Sequence, residues 1–234
     1  MNETEKELQE FLKPTRSCDF DNSFIRNKTL AIIGDSKSDR EKALAIFCWI
    51  RDNIKFSLSD VDASATQTLK NGYGECANKT SLHMALLRSI GIPARMHVSL
   101  AKREPLQPII PKFVYNKISD NASHFWPECY IDDKWISCEA LLDKPLYDAL
   151  IKANKITTEQ IPTIDWNGKE DLIVLKYWIV EEKGYVNSYD EIYQELIKNR
   201  KQEGLPPAII TKLFGGFINK TLFKYSEKVR RGQK

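Results

Sequence analysis

Two aromatic and β-branched runs, His124 to Ile131 and Lys134 to Glu139, meet at Asp132-Asp133, and their alternation restricts this stretch to a two-stranded hairpin. A two-residue turn sets Ile131 opposite Lys134 and carries the register on to Trp126 opposite Glu139. Because successive side chains change face, His124, Trp126, Glu128 and Tyr130 share a face with Trp135, Ser137 and Glu139, and His124 becomes a diagonal neighbour of Glu139. Cys129 and Cys138 point the other way with Phe125, Ile131 and Ile136, so burial is their expected role.

Upstream, Asn71-Gly72-Tyr73-Gly74-Glu75-Cys76 places two glycines in a tight turn, and Ala77 to Ile90 follows as a helix stopped at Gly91 with Pro93 beyond. Cys76 therefore opens a helix. Free N–H groups and the positive end of the helix dipole favour a thiolate there, and the same N–H groups can hold a developing oxyanion. A base must come from three histidines. His83 lies seven residues along, roughly 10 Å up the axis, against the about 3 Å that direct contact requires, so a structural role is expected. His97, in the strand Arg95 to Leu100, has no carboxylate comparably placed by local geometry and reads as a surface or hydrogen-bonded histidine, while Arg95 reads as the partner of a core acid. His124 has Glu139. Cys76, His124 and Glu139 can thus supply a nucleophile, a base and an orienting acid, although the hairpin pattern alone does not set it beside Cys76.

Gly74-Glu75-Cys76, the helix through Leu86-Leu87-Arg88, Gly91-Ile92-Pro93-Ala94-Arg95, His124-Phe125-Trp126 with Glu128, and Trp135 followed four residues later by an acid together resemble the core of the transglutaminase-like superfamily. The helix ending Trp49-Ile50-Arg51-Asp52-Asn53-Ile54 and Thr68-Leu69 extend the resemblance over about residues 40–142. It implies an α+β, papain-like cysteine-hydrolase fold, with the thiol-headed helix packed on an antiparallel sheet that carries the histidine and the acid. By position, Cys76 is implied as nucleophile, His124 as general base and acid, and Glu139 as orienter. The family usually has aspartate where this chain has Glu139, and the extra methylene moves the carboxylate by about 1 Å, a displacement that can cost about a hundredfold in rate. For the second oxyanion donor no glutamine lies between Leu69 and Cys76. Asn71, Tyr73 and Trp126 are the substrate-binding or oxyanion candidates, against plainer roles in a turn, in packing and in a cleft wall.

With 234 residues, 42% of them hydrophobic, the chain can bury one sizeable core. The expected division is a domain over 1–205 and a helical appendage over 206–234. Ser38-Asp39-Arg40-Glu41 is a capping-box pattern opening a helix with Ala43, Ile46, Phe47, Ile50 and Ile54 on one side. Lys102 to Ser123, with Pro105, Pro108 and Pro111, shows little regular pattern and reads either as a cleft rim or lid or as a plain surface excursion. Leu172 to Val180 is expected as a strand, and Ser188-Tyr189-Asp190-Glu191 as the start of a helix to about Lys201, broken at Gly204 and Pro206-Pro207. In the last segment, Ile209, Ile210, Leu213, Phe214, Phe217, Ile218, Leu222 and Phe223 give an apolar face interrupted by Gly215-Gly216 and followed by a basic end. Such a segment can contact an anionic membrane or a protein partner, and the plainer reading packs it on its own domain.

Met1 to Glu10 lacks the apolar run of a signal peptide, and no stretch reaches the roughly 18 apolar residues of a membrane span, so a cytoplasmic location is expected. Five cysteines without a regular framework agree with it. No Cys-x-x-Cys supports a zinc site from Cys76, Cys129, Cys138 and a histidine, and no metal or cofactor is expected. A net charge of +3 without a nucleic-acid motif argues against a nucleic-acid partner. The functional expectation is thiol-dependent acyl transfer on a peptide or amide substrate through a Cys76 thioester. Hydrolysis comes first, because the resemblance is closer to hydrolytic members than to crosslinking ones with extra β domains. Protein-glutamine transamidation, or a catalytically inactive peptide- or partner-binding module on the same fold, are the alternatives.

Overall fold

The structure, a computed structural model, describes residues 3–58, 62–193 and 208–233. Its class is α+β: after a first helix, α1 (Glu3–Glu10), further helices pack with a four-stranded antiparallel sheet of order β5 (Lys134–Ser137), β4 (Asn121–Ile131), β3 (Ala94–Lys102) and β6 (Ile179–Val186). Strand β3 (Ala94–Lys102) pairs with β4 (Asn121–Ile131) from Ala94 opposite Cys129 to Lys102 opposite Asn121. Strand β5 (Lys134–Ser137) returns along β4 with Ile131 opposite Lys134, and Asp132 and Asp133 take φ of 52° and 60°, the left-handed pair that a two-residue hairpin turn demands. Beyond Ser137 the Cys138 N–H still donates to the Pro127 carbonyl (3.0 Å), so the register read from the sequence continues toward Glu139.

Helix α5 (Cys76–Arg88) is the central pillar: every residue from Ala77 to Arg88 is buried. Burial on all sides includes several polar groups, and each of these needs a partner. The Arg88 guanidinium donates to the carbonyls of Lys13, Ala94 and Asn187, Thr80 Oγ1 donates to the Phe125 carbonyl, and Lys79 Nζ to that of Ile54. These bonds tie the helix to β3, β4 and the amino-terminal segment. Around it pack α2 (Ser23–Ile33), α3 (Asp39–Asn53) and α4 (Ala65–Asn71); Ser38 and Glu41 form the expected reciprocal cap on α3, whose Ala43, Ile46, Phe47 and Ile50 are buried. A short parallel pair, β1 (Lys55–Phe56) with β2 (Tyr73–Gly74), leads into α5.

Two stretches depart from the sequence expectation. The strand expected over 172–180 is present only in its last two residues: Leu172 makes a single bridge to Cys138, residues 176–178 form a 3-10 turn, and the strand β6 (Ile179–Val186) begins seven residues late. The backbone N–H groups of Val174 and Leu175 turn instead to a side chain, the Glu139 carboxylate. In the proline-rich stretch, Glu104–Leu106 forms a 3-10 turn and α6 spans Lys112–Tyr115, while β4 starts three residues before His124. The helix opening at 189 lies outside the described residues from 194 onward.

The described part of the C-terminal helix (Ala208–Arg230) returns to the domain. Arg230 Nε donates to Asp143 Oδ1 at 2.8 Å and its guanidinium also reaches Phe56 O, while Asp143 caps α7 (Lys144–Lys152) and accepts from Phe56 N. Burial alone would raise the Asp143 carboxyl, but hydrogen bonding to Arg230 overrides it and holds the group below its usual value. Arg230→Met strands a buried carboxylate and is expected to cost about 3–5 kcal/mol in chemical denaturation near neutral pH. A carboxylate with a depressed folded pKa contributes its stability above the unfolded pKa of about 3.9 and loses it as pH falls through the folded value. The difference between wild type and variant therefore shrinks below about pH 4.

Candidate active site

The position of Cys76 is set by the turn before it. Gly72 caps α4 at φ 71°, in the left-handed region, and a Cβ at Gly74 would lie 2.8 Å from Asn78 Cβ and 3.2 Å from Thr68 Cγ2. Only glycine brings the chain this close to the first turn of α5. Glu75 then acts as N-cap: Oε1 accepts from Asn78 N (3.1 Å), and Asn78 Oδ1 accepts from Glu75 N (3.3 Å). Its other oxygen, Oε2, accepts from the half-buried Cys76 thiol at 3.1 Å.

This arrangement opposes the thiolate expected at the helix start. Burial first, and then the adjacent Glu75 charge and its hydrogen bond, push the Cys76 thiol well above its ordinary value; burial also raises Glu75. The dipole is present, but its positive end already faces an acid. These influences favour the neutral thiol.

His124, on β4, presents Nε2 at 2.8 Å from Glu139 Oε1, and both side chains are buried. The two atoms lie at contact distance without the alignment of a hydrogen bond. Glu139 is anchored by its second oxygen, which accepts from the N–H groups of Val174 and Leu175, and by its own N–H, which donates to Leu172 O at 3.0 Å. Cys76, His124 and Glu75 share the wall of a cleft of about 220 Å³. Cys76 and Glu139 also meet at a smaller cavity behind it, which His83 lines.

His83 is buried, and burial followed by the nearby Lys79 charge lowers its imidazole to about 3, so it stays neutral near pH 7. His97 sits between two acids, Nδ1 at 3.0 Å from Glu128 Oε1 and Nε2 at 2.5 Å from Glu182 Oε2; burial pulls it down, but the carboxylates prevail and the net shift is upward. Glu128 also accepts from Arg95 Nε at 2.5 Å, and the Arg95 guanidinium lies over the rings of Trp135 and Tyr185. Sequence reasoning missed the role of Glu128 for His97. The signal was present, since Arg95 faces Glu128 and His97 faces Trp126 across β3 and β4 on one side of the sheet.

None of the three second-donor candidates reaches the cleft. Trp126 is fully buried, its indole N–H donates to Ser137 Oγ (3.1 Å), and its ring stacks on His97 at 4.2 Å and leans on His124 at 5.7 Å, so it supports the histidine from behind. Tyr73 packs its ring against Phe223 at 4.6 Å, and the exposed Asn71 accepts from Gln67 Nε2. Cys129 and Cys138 are buried with their sulfurs 3.8 Å apart, and both are free thiols. Among the described residues no group of three or more His, Cys, Asp or Glu is placed to hold a metal ion, and no helix is long and apolar enough to cross a membrane.

Residues 26–140 match the family model of the Transglutaminase-like superfamily. Among solved structures, the fold is similar to that of a "putative cysteine protease" from Cytophaga hutchinsonii, with 22% identity, a TM-score of 0.52 and coverage of 79% of this chain and 48% of that one. A "putative protease" from Parabacteroides distasonis aligns at 14% identity and a TM-score of 0.38, over 56% of this chain and 25% of that one. This chain thus spans about half the length of the first structure and a quarter of the second. No curated protein matches it.

The contact between Glu75 and Cys76 generates a test. Glu75→Gln keeps an oxygen for the helix cap and removes the charge beside sulfur, so the midpoint of the pH profile of Cys76 alkylation by iodoacetamide moves down by about one pH unit or more. An unchanged midpoint in a folded variant contradicts this reading of the thiol.

Proposed function

We propose that this chain, which belongs to the transglutaminase-like superfamily through residues 26–140, is a thiol-dependent acyl-transfer enzyme that hydrolyses a peptide or amide through a thioester on Cys76. One observation carries the reading: His124, with Glu139 2.8 Å from its Nε2, shares a cleft wall with a cysteine at the first position of a helix. In this mechanism the imidazole nitrogen not facing Glu139 takes the thiol proton as sulfur attacks the carbonyl carbon. Glu139 stabilises the imidazolium, and the Cys76 N–H, without an intrahelical acceptor at the helix start, supports the oxyanion. Collapse breaks the C–N bond, and His124 protonates the departing amine. Water then gives a proton to His124 and attacks the thioester, releasing the acid and restoring the thiol. Because the neutral form of the thiol is favoured at rest, its proton passes to His124 together with the attack of sulfur rather than before it.

A second reading has its own support. The pushed-up thiol and the glutamate at position 139, where the resemblance implies aspartate, are also what a non-catalytic peptide-binding module on this fold would tolerate. Transamidation uses the same steps with an amine in place of water, and replacing water by a primary amine in the assay separates the two by product mass.

The test is turnover of a peptide library by the full chain, with intact mass spectrometry to locate an acyl adduct. Cys76→Ala abolishes adduct and turnover, His124→Ala lowers turnover by about a thousandfold or more, and Glu139→Gln by roughly a hundred- to ten-thousandfold. Absence of any adduct on a folded wild type, with Cys76 alkylation indifferent to His124→Ala, favours the binding module.

A further inference from the structure

The cleft beside Cys76 is apolar almost throughout. Its wall is drawn from separate parts of the chain, including Phe56 after α3, Leu106 and Ile109 from the proline-rich rim, Leu142 beyond the hairpin, Leu150 on α7 and Leu175 beside the Glu139 anchor. Glu75, Cys76 and His124 are the polar groups at its reactive end. The remaining polar lining residues do not turn it into a polar pocket: Lys102 and Ser123 are exposed, and Arg103 is engaged by Asp120 at 2.7 Å and by the Ile118 carbonyl.

Protein interiors leave few voids larger than a water molecule, whereas this cleft measures about 220 Å³. A dry cavity of about 150 Å³ accepts benzene, so the space suits an apolar group of up to about nine carbons. A primary amide such as a glutamine side chain brings two donors and an acceptor, and would lose its hydrogen bonds to water against these walls. An aromatic or branched aliphatic group would not.

Resting on the acyl-transfer reading above, we propose that this cleft receives the acyl side of the substrate, and that the preferred donor carries a large apolar group next to the carbonyl that Cys76 attacks. The rim 104–118 is then a specificity element, since Leu106, Ile109 and Ile118 close one side of the cleft. Each buried methylene contributes about fourfold in binding, so several of them separate apolar from small or amide-bearing donors by about thirtyfold or more.

The experiment uses the full chain and p-nitrophenyl esters of N-acetyl-phenylalanine, N-acetyl-leucine, N-acetyl-glycine, N-acetyl-glutamine and hexanoic acid. Cys76 acylation is followed by released nitrophenol and assigned by intact mass. The proposal expects phenylalanine or leucine donors to exceed glycine and glutamine donors by about thirtyfold or more in kcat/KM. Whether N-acetyl-leucine or hexanoate is faster tells a peptidyl from a free fatty-acyl source. Ala101→Leu, which narrows the cleft, and Leu106→Gln, on the half-buried rim, should each collapse the ratio to about threefold or less. A ratio near one in wild type, or a ratio unmoved in both folded variants, overturns the proposal. If no ester acylates Cys76, the acyl-transfer reading fails while the pocket is still tested: Cys76→Ala should bind N-acetyl-phenylalaninamide at least tenfold more tightly than N-acetyl-glutaminamide by calorimetry, and equal binding overturns the pocket as well.

Discussion

The contact on which the site depends is the one between the Glu139 carboxylate and the backbone of residues 172–175. A buried carboxylate needs compensating donors, and two main-chain N–H groups supply them. That leaves Oε1 aimed at His124. The hairpin alone would bring the two residues near each other; the 172–175 segment decides which carboxylate oxygen faces the ring. Trp126 supports the ring from behind, with its own N–H satisfied by Ser137, so the imidazole is confined between an acid and an indole.

The cysteine side follows a different logic. Two glycines and a reciprocal Glu75–Asn78 cap fix where α5 begins, which places sulfur with little conformational freedom. Burial first, and then the acid that the same cap puts against the thiol, oppose the favourable field of the helix end. A neutral thiol in an apolar cleft is less prone to oxidation than an exposed thiolate.

Much of this was legible in the sequence wherever a local rule was sufficient. Period-two alternation around Asp132-Asp133 determined the hairpin register to the residue, and the Ser38–Glu41 pattern and the glycine turn located α3 and α5. The resemblance reached from about residue 40, and the family match begins at 26. What stayed hidden depended on contacts distant along the chain. Residues 172–175 look like a strand because they are apolar and β-branched, yet their N–H groups serve a glutamate more than thirty residues away. The helix-dipole argument omitted the charge of the capping residue itself. Tyr73, Asn71 and Trp126 were drawn by proximity in sequence to Cys76 or His124, and each has its polar group or ring engaged elsewhere.

The most direct measurement is the 15N NMR of the three histidine side chains, which reports where each ring carries its proton. The account predicts that near neutral pH His124 holds its proton on Nε2, toward Glu139, in slow exchange with solvent, and that Glu139→Gln gives a mixture of tautomers. A His124 ring protonated on Nδ1, or one averaged by free rotation and unmoved by Glu139→Gln, would contradict it.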